Sequence, residues 1–333
     1  MRWPFVVPLL LVACDRAPPT PDSVYEPDET ETPEGESPTI RLATWNIEVL
    51  GVPGAEEYEA TLATLARIDA DVVGLNELSQ GEETRLELLA EALGYDVISL
   101  PDHTPFGFEK NAVLSRLPAV STRAWTSEDL SGDPQANDLT RLPVGAVLEA
   151  PWGGTLAVVS QHCKSGFDDI DEFRRTIDAL RTGQAAAQSG ATHRVVFGDL
   201  NEDPSELIDA PLSPSVFSSI PGGAPSGYRL GEDVEALLSD GLTNGPFVAL
   251  ASLGFTPIES AQRDGRVATR DSGRWIDHVL LDGTLEVIGA EIYDSTDESG
   301  EGGLAKSGEP PARETSRIAS DHLPVFVDLT RAR

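Results

Sequence analysis

Short apolar segments, separated by polar and glycine-rich stretches, recur along most of the chain and predict β-strands. Ile40 to Asn46 alternates as a half-buried strand does, and Ala70 to Glu77 is a continuous apolar run that ends in polar residues. The same criteria predict further strands at 95–99, 111–115, 144–149, 155–162, 193–199, 276–282, 285–293 and 322–329.

Three segments have the spacing of apolar residues that is typical of amphipathic helices. They are Tyr58 to Ile68, Glu82 to Leu93 with Gly94 as the stop, and a long helix that begins at Asp168 or Asp169 and ends near residue 188. About ten strands with few long helices favour a layered α/β protein that contains mixed sheets.

The composition narrows the class of protein further. The 333 residues are 40% hydrophobic, which excludes a chain that is disordered throughout, a collagen or a coiled coil. No apolar run reaches the roughly 20 residues that a membrane-spanning helix needs. The formal net charge of -32 opposes the binding of a long polyanion unless metal ions or a local basic patch intervene.

Residues 1–14, MRWPFVVPLLLVAC, read as a short secretory signal rather than a membrane span. Their end resembles the lipobox of bacterial lipoproteins, which implies cleavage before Cys14 and attachment of lipid to its sulfur. We therefore expect a lipid-anchored protein of the bacterial cell envelope, outside the cytoplasm. An ordinary signal peptide that happens to end in cysteine is the alternative.

Residues 15–38 differ from the rest of the chain. They contain eight acids, one arginine and six prolines, a composition that cannot bury enough surface to fold. We interpret them as an acidic tether, followed by a catalytic domain at 39–331. If Cys14 carries lipid, Cys163 is the one remaining thiol and no internal disulfide can form.

Polar residues recur at the ends of the predicted strands. Ligand sites of open sheets lie beyond strand ends, so these side chains are candidates for one common site. The segments are Thr44-Trp45-Asn46, Leu75-Asn76-Glu77, Gln161-His162-Cys163-Lys164, Asp199-Leu200-Asn201, Ile276-Asp277-His278 and Asp321-His322.

This set of side chains predicts a hard divalent metal. Carboxylate and amide oxygens suit Mg²⁺, Mn²⁺ or Ca²⁺, whereas zinc is less suited because the available thiol is single and predicted to be buried. A hard metal combined with histidine is the equipment of phosphoryl chemistry, in which the metal neutralises phosphate oxygens and a histidine deprotonates water.

In their order along the chain, these segments resemble the endonuclease/exonuclease/phosphatase superfamily. The most specific pieces are Gly-Asp-Leu-Asn at 198–201 and Ser-Asp-His-Leu-Pro-Val at 320–325, and the likeness covers about residues 40–330. The resemblance implies a four-layer α/β sandwich, with two mixed β-sheets packed face to face and helices outside.

The resemblance also assigns roles to the metal and base positions. Glu77 matches the main metal ligand, Asn46 the amide beside it, and Asp321 a further ligand of Mg²⁺, Mn²⁺ or Ca²⁺. His322 matches the general base, and Asp277 the carboxylate that orients it.

Five more residues match positions that bind the substrate or support the site. Asp199 matches the acid that positions the water or the metal, and Asn201 the amide that hydrogen-bonds the phosphate. His162 matches a phosphate-binding histidine of the deoxyribonuclease and sphingomyelinase branches, with Glu109 as the candidate for the glutamate that supports it. Lys164 is a candidate phosphate contact.

Three functions remain open at this point. A nuclease-like phosphodiesterase is favoured by the His-Cys-Lys-Ser segment, and a phosphodiesterase or phosphatase acting on lipid headgroups or small phosphoesters is favoured by the acidic charge. A non-catalytic surface binding module is the remote alternative. The basic segment with Arg263, Arg266, Arg270 and Arg274 either borders the site or balances local acids. We expect a monomer with no protein partner.

Overall fold

Two mixed sheets form the centre of the molecule. The computed structural model describes residues 38–205, 225–234, 245–298 and 302–332. In chain order, the strands of these residues are β1 (Ile40–Asn46), β2 (Val72–Ser79), β3 (Val97–Ser99), β4 (Glu109–Ser115), β5 (Ala119–Ala124), β6 (Val144–Glu149), β7 (Thr155–Ser160), β8 (His193–Asp199), β9 (Phe255–Pro257), β10 (Asp277–Asp282), β11 (Leu285–Ile292) and β12 (Val325–Arg331).

The two sheets have related strand patterns. Sheet 1 has the order β11-β12-β1-β2-β4-β3, and sheet 2 has the order β5-β6-β7-β8-β10-β9. Among the described strands, each sheet has one parallel pair, β1 with β2 and β7 with β8, and its other neighbours are antiparallel. The carboxyl ends of a parallel pair lie at the same edge of the sheet, so each pair brings two strand ends together.

Helices make the crossover connections that parallel pairs require. The described helices are α1 (Glu56–Ile68), α2 (Glu83–Leu93), α3 (Ser127–Ser131), α4 (Asp169–Gln188), α5 (Pro246–Ser252), α6 (Thr315–Ala319) and a 3₁₀ turn at Ser295–Asp297. Helix α1 connects β1 to β2, and α4 connects β7 to β8. No helix of the described residues combines the length and apolar character needed to cross a bilayer.

Three apolar layers hold the sheets and helices together. One packs α1 and α2 on sheet 1 around Trp45, the second lies between the sheets, and the third packs α4 and α5 on sheet 2 around Leu250. In the middle layer, a Cβ on Gly74 of β2 would lie 1.8 Å from the ring of Phe197 on β8, so only glycine permits this packing. The layers confirm the predicted four-layer α/β sandwich.

Some predicted boundaries need correction. Strand β7 ends at Ser160 rather than 162, and β12 begins at Val325 rather than 322. Consequently His162 and His322 stand on loops just beyond strands, where side chains are not confined to alternate faces of a sheet. The predicted signal, Cys14 and residues 15–37 of the predicted tether lie outside the described residues.

Candidate active site

The carboxylate of Asp199 is the centre of a cluster that both sheets build. Its Oδ2 lies 2.9 Å from Asn46 Nδ2, 3.4 Å from His162 Nε2 and 3.9 Å from His322 Nε2. Asn46 Nδ2 also donates to Glu77 Oε1 at 2.8 Å. The carboxyl ends of the two parallel pairs therefore converge, and they bring four of the predicted strand-end segments together.

A β-bulge directs Glu77 towards this centre. Leu75 pairs with Ala112 and Leu78 with Lys110, so two residues of β2 oppose one residue of β4. Glu77 has a left-handed backbone with φ of 62°, which is uncommon for a residue other than glycine. Bulges redirect side chains next to active sites, and this one turns Glu77 to the Asn46 amide.

Asn201 has the same left-handed backbone, with φ of 54°. Its amide N–H donates to Asp199 Oδ1 at 2.8 Å, and its side-chain Nδ2 donates to the carbonyl of Cys163 at 3.1 Å. Two site residues thus hold strained conformations, a pattern that is common where the surrounding structure fixes a functional group.

Buried amides beneath the site connect the two sheets. Asn76 Oδ1 accepts from the backbone N–H of Asp199 at 3.0 Å, and Asn76 Nδ2 donates to Asn111 Oδ1 and Ser160 Oγ. Asn111 in turn donates to Gln161 Oε1 at 3.1 Å. This network positions Asp199 by its main chain, and the sequence gives no sign of it.

His322 and Asp277 form a buried pair at the edge of the cluster. The ring Nδ1 of His322 lies 2.8 Å from Asp277 Oδ2. The loop that carries His322 is fixed because Trp45 Nε1 donates to its carbonyl, and its own N–H donates to Ser320 Oγ. With Nδ1 bonded to the carboxylate, Nε2 is the ring nitrogen that faces Asp199.

The pKa values of the two site histidines, His162 and His322, are shifted in opposite directions. Burial alone would lower the pKa of His322, but Asp277, through its charge and hydrogen bond, and then Asp199 and Asp321 raise that pKa to about 9. Burial lowers the pKa of His162 well below its usual value, and the positive charges of Arg141 and His322 lower it further. His162 is therefore neutral at physiological pH.

The two central acids are held in an environment that disfavours their charge. Burial raises the pKa of Glu77, and burial together with the charge of Asp277 raises the pKa of Asp199 to about 6. A bound cation would reverse both effects, because it stabilises the ionised carboxylates.

The donor set fits a divalent cation. One ligand atom each from Glu77, His162 and Asp199 lie within 4.8 Å of one another, and the same holds for Asp199, Asp277 and His322. Asp277 Oδ1 is buried and has no hydrogen-bond partner among the described residues. The carboxylate oxygens of this set suit Mg²⁺, Mn²⁺ or Ca²⁺.

The side-chain amide of Asn46 is not oriented as a metal ligand would be, with its oxygen towards the acids. Its Nδ2 lies between the Glu77 and Asp199 carboxylates, and its Oδ1 accepts from the N–H of Glu48 at 3.0 Å. As placed, the amide braces two acids instead of presenting its oxygen to them. Its role as a metal ligand stays a prediction.

Asp321 is paired with an arginine from the basic segment. Arg270 Nη2 lies 2.9 Å from Asp321 Oδ2, while Asp321 Oδ1 lies 3.7 Å from His322 Nε2. Arg274 donates to the carbonyl of Asn201 at 3.2 Å. These two arginines therefore border the site.

The other two arginines of the segment lie against acids elsewhere. Arg263 Nε is 3.5 Å from Glu291, and Arg266 contacts Asp264 and Asp297. The basic segment is thus divided, with only its later half at the cluster.

Glu109 lies close to His162 but forms no hydrogen bond with it. Its Oε2 lies 3.9 Å from His162 Nδ1, and the same oxygen accepts from Arg141 Nε at 2.8 Å and from Arg141 Nη2. Arg141 also donates to the carbonyl of Cys163 at 3.3 Å. Arg141 is a site residue that the sequence analysis did not identify, because only the fold brings its loop to β4.

The side chain of Lys164 is bonded to the loop that carries it and to the following helix, α4. Its Nζ lies 2.9 Å from Asp171 Oδ1 and donates to the carbonyl of Ser165. Cys163 is fully buried, as predicted, and burial raises the pKa of its thiol well above the usual value. A phosphate contact by Lys164 stays a prediction.

Solved structures share this fold at low sequence identity. An endonuclease/exonuclease/phosphatase from Beutenbergia cavernae aligns over 88% of this chain and 72% of its own, with 18% identity and a TM-score of 0.55. The human Nocturnin catalytic domain aligns over 89% and 96%, with 18% identity and a TM-score of 0.51. The Neisseria 3′ phosphatase NExo aligns over 86% and 98%, with 17% identity and a TM-score of 0.52.

A comparison with curated protein sequences finds no match. The family model described as "Endonuclease/Exonuclease/phosphatase family" matches residues 43–322, which contain every described residue of the cluster. On the strength of that match and the shared fold, this chain belongs to the endonuclease/exonuclease/phosphatase family.

Proposed function

We propose that this protein hydrolyses phosphoester bonds with a divalent metal and a histidine-activated water, as a nuclease-like phosphodiesterase. The observation that carries the proposal is the His322–Asp277 pair, which is buried, joined at 2.8 Å and directed by Nε2 towards the Asp199 carboxylate. Family membership supports the same reaction class.

The pair supplies the proton acceptor. Asp277 holds His322 in the tautomer that leaves Nε2 without a proton, and Nε2 takes the proton of the attacking water. The raised pKa of His322 makes it a strong base, and positive charge bound among the nearby carboxylates would favour its neutral form at physiological pH.

The other side chains receive the substrate. In this proposal Asn201 and His162 bind phosphoryl oxygens, with Lys164 as a further contact. Because Asn201 and His162 are buried and held by the cluster before the substrate arrives, their reorganisation costs little during the reaction.

Glu77 and Asp199 are the carboxylates that would hold the metal, with Asp321 and Asn46 assigned by resemblance. A bound Mg²⁺, Mn²⁺ or Ca²⁺ supplies charge neutralisation at the phosphoryl group.

Small or lipid-borne phosphoesters are the second candidate substrates. Residues 39–333 carry 48 acids and 22 bases, which opposes a long polyanion. The arginines at the site edge, Arg270 and Arg274, offer only a local cationic patch.

Substrate assays test the proposal directly. Wild type, Glu77→Gln and the control Glu286→Gln, an exposed acid of β11, are assayed on plasmid DNA, RNA, sphingomyelin and a generic phosphodiester. We expect hydrolysis that EDTA abolishes, Mg²⁺ or Mn²⁺ restores, Glu77→Gln removes and Glu286→Gln leaves intact. Full activity in EDTA, or none on any substrate, would overturn the proposal.

We also propose that Cys14 anchors the protein to a bacterial membrane by lipid, and that residues 15–38 are a tether. Cys14→Ser is expected to move the protein from the membrane fraction to the soluble or secreted fraction. A chain that begins at Thr39 is expected to retain full activity. An unchanged membrane fraction, or loss of folding in the shortened chain, would contradict these two proposals respectively.

A further inference from the structure

Two phenylalanines that are close in sequence to residues of the site stand out by their exposure. Phe167 is 81% exposed and Phe108 is 61% exposed, the highest values among the large apolar side chains of the described residues. Phe108 immediately precedes Glu109, and Phe167 follows His162 by five residues. An aromatic ring that stays in water, although burial would stabilise it, can offer its flat apolar face to a ligand.

The exposure of Phe167 is not a consequence of a loose loop. Arg175 Nη1 donates to the carbonyls of Lys164 and Gly166, at 2.9 and 3.1 Å. The N–H of Lys164 donates to the buried Asp178 at 2.9 Å. The backbone on both sides of Ser165 is thus tied to α4, and it presents Phe167 in a fixed place.

Arg274 holds the ring beside the reaction centre. Its guanidinium carbon lies 5.0 Å from the centroid of the Phe167 ring, within the range of a cation–π contact. The same guanidinium donates to the carbonyl of Asn201 at 3.2 Å. The N–H of Asn201 donates to Asp199, so a series of three contacts connects the ring to Asp199.

We infer that Phe167 stacks on a nucleobase of the substrate while the phosphoester lies at the cluster. This inference rests on the proposed phosphoesterase function and narrows the substrate to nucleobase-bearing esters. With Arg274 against the ring and most of the ring still open to solvent, Phe167 offers a flat apolar surface to a base. Base–aromatic stacking tolerates any base, so the site selects for a base rather than for a sequence.

The surroundings of Phe167 argue against a lipid bilayer as the occupant. Asp168 and Asp169 follow it directly, and both are exposed. These acids would have to enter or approach the headgroup region together with the ring, and anionic lipids would repel them. A single nucleobase can contact the ring without burying either acid.

Binding is tested first without catalysis. In the full chain, Phe167→Trp introduces a fluorophore at the ring position, and wild type reports the background of the native tryptophans. We expect adenosine 5′-monophosphate to quench the additional fluorescence and ribose 5-phosphate to leave it unchanged. Equal responses to the two ligands, or none, would overturn the stacking inference whatever the enzyme hydrolyses.

Kinetics then separate stacking from catalysis. Wild type, Phe167→Ala, Phe167→Tyr and the control Val120→Ala, which is 60% exposed on β5, are compared on a dinucleotide and on its analogue lacking one base. We expect Phe167→Ala to raise KM for the dinucleotide roughly 5- to 100-fold, with kcat and the base-free substrate little affected, and Phe167→Tyr to restore KM.

The outcomes are distinguishable. An equal KM for the dinucleotide in wild type and Phe167→Ala overturns the stacking inference and leaves the proposed function standing. Hydrolysis of neither substrate by wild type defeats the proposed function, and the fluorescence result then decides stacking alone. Loss of phosphatidylcholine vesicle binding in Phe167→Ala, with unchanged nucleotide kinetics, assigns the ring to lipid and overturns the inference.

Discussion

Two buried clusters of charge in this molecule are built in opposite ways. In the first cluster, the fully buried guanidinium of Arg181 on α4 pairs with Asp138 at 2.6 Å and with Asp233 at 2.6 Å. It also donates to Gln184 Oε1. Around Asp199, several acids meet two histidines, and atoms such as Asp277 Oδ1 have no hydrogen-bond partner among the described residues. The first cluster is complete within the protein, and the second is not.

The two clusters therefore correspond to different roles, one in stability and one at a functional site. The Arg181 cluster joins loops to a helix, and every polar atom it buries is compensated, as stability requires. The Asp199 cluster holds Glu77 and Asn201 in left-handed conformations and crowds acids whose charge burial disfavours. Such an arrangement reduces stability, and strained residues and shifted pKa values of this kind cluster at functional sites.

The largest effect is expected on catalysis, at the incomplete cluster. His322→Gln removes the proton acceptor and should lower kcat/KM by about 10²–10⁴-fold. Asp277→Asn should lose less, and the double variant should be little worse than His322→Gln because the two act as a unit. Steady-state kinetics measure this, with the exposed His103→Gln as control. Losses that multiply would refute the pairing.

A large loss of stability is expected at the complete cluster. Arg181→Met keeps most of the side-chain volume but leaves Asp138 as an unpaired buried acid, which should cost about 3–5 kcal/mol in free energy of unfolding. Arg266→Met, which breaks exposed ion pairs with Asp264 and Asp297, should cost less than about 1 kcal/mol. Urea unfolding compares the two. Equal losses in free energy of unfolding for the two variants would show that burial does not make the Arg181 ion pairs more important than those of Arg266.

Asp178, on the same helix as Arg181, gives a pH test. It is buried and accepts from the N–H groups of Thr140 and Lys164, and burial raises its pKa to about 6. Its stabilising contribution is full below the unfolded pKa of about 3.9 and is lost as pH rises through about 6, by about 3 kcal/mol. We expect the unfolding free energies of wild type and Asp178→Asn to diverge by most of that amount, about 2 kcal/mol, between pH 4 and 7. Parallel curves would contradict the shift.

The smallest effect is a gain of stability at the incomplete cluster. Since burial raises the pKa of Glu77, its ionised form destabilises the metal-free protein at neutral pH. Glu77→Gln keeps the acceptor for Asn46 and, in EDTA, should raise the free energy of unfolding by about 1 kcal/mol. The exposed Glu286→Gln should change it by less than 0.5 kcal/mol in magnitude. A lower free energy of unfolding in Glu77→Gln would show that the Glu77 carboxylate stabilises the fold, contrary to this prediction.

The sequence predicted the central strands and the long helix because their signals are local. Strand β1 was placed to the residue, and α4 ends at Gln188 as expected. Strands β5 and β9 were not predicted, since β5 lies exposed on a sheet edge and β9 has three residues. Edge and very short strands depend on their neighbours rather than on their own alternation.

The site was predictable as a set of residues but not as an arrangement. Strand-end position and the family motifs identified Asp199, His322 and their partners, and the fold brings these residues together. The bulge at Glu77, the orientation of Asn46 and the pairing of Arg141 with Glu109 depend on contacts between distant segments. No local pattern reports such contacts, so these details required the fold.

The position of β12 in sheet 1 bears on the order in which the fold can assemble during synthesis. Strand β12 lies between β11 and β1, and its Asp328 bonds Arg41 of β1 across 287 positions of sequence. During synthesis, β1 can pair with β2 early, but its other edge stays unpaired until β12 is made, and non-local pairings of this kind form slowly. His322 arrives on the same late segment. The nascent chain consequently lacks the His322–Asp277 pair until residue 322 has been made.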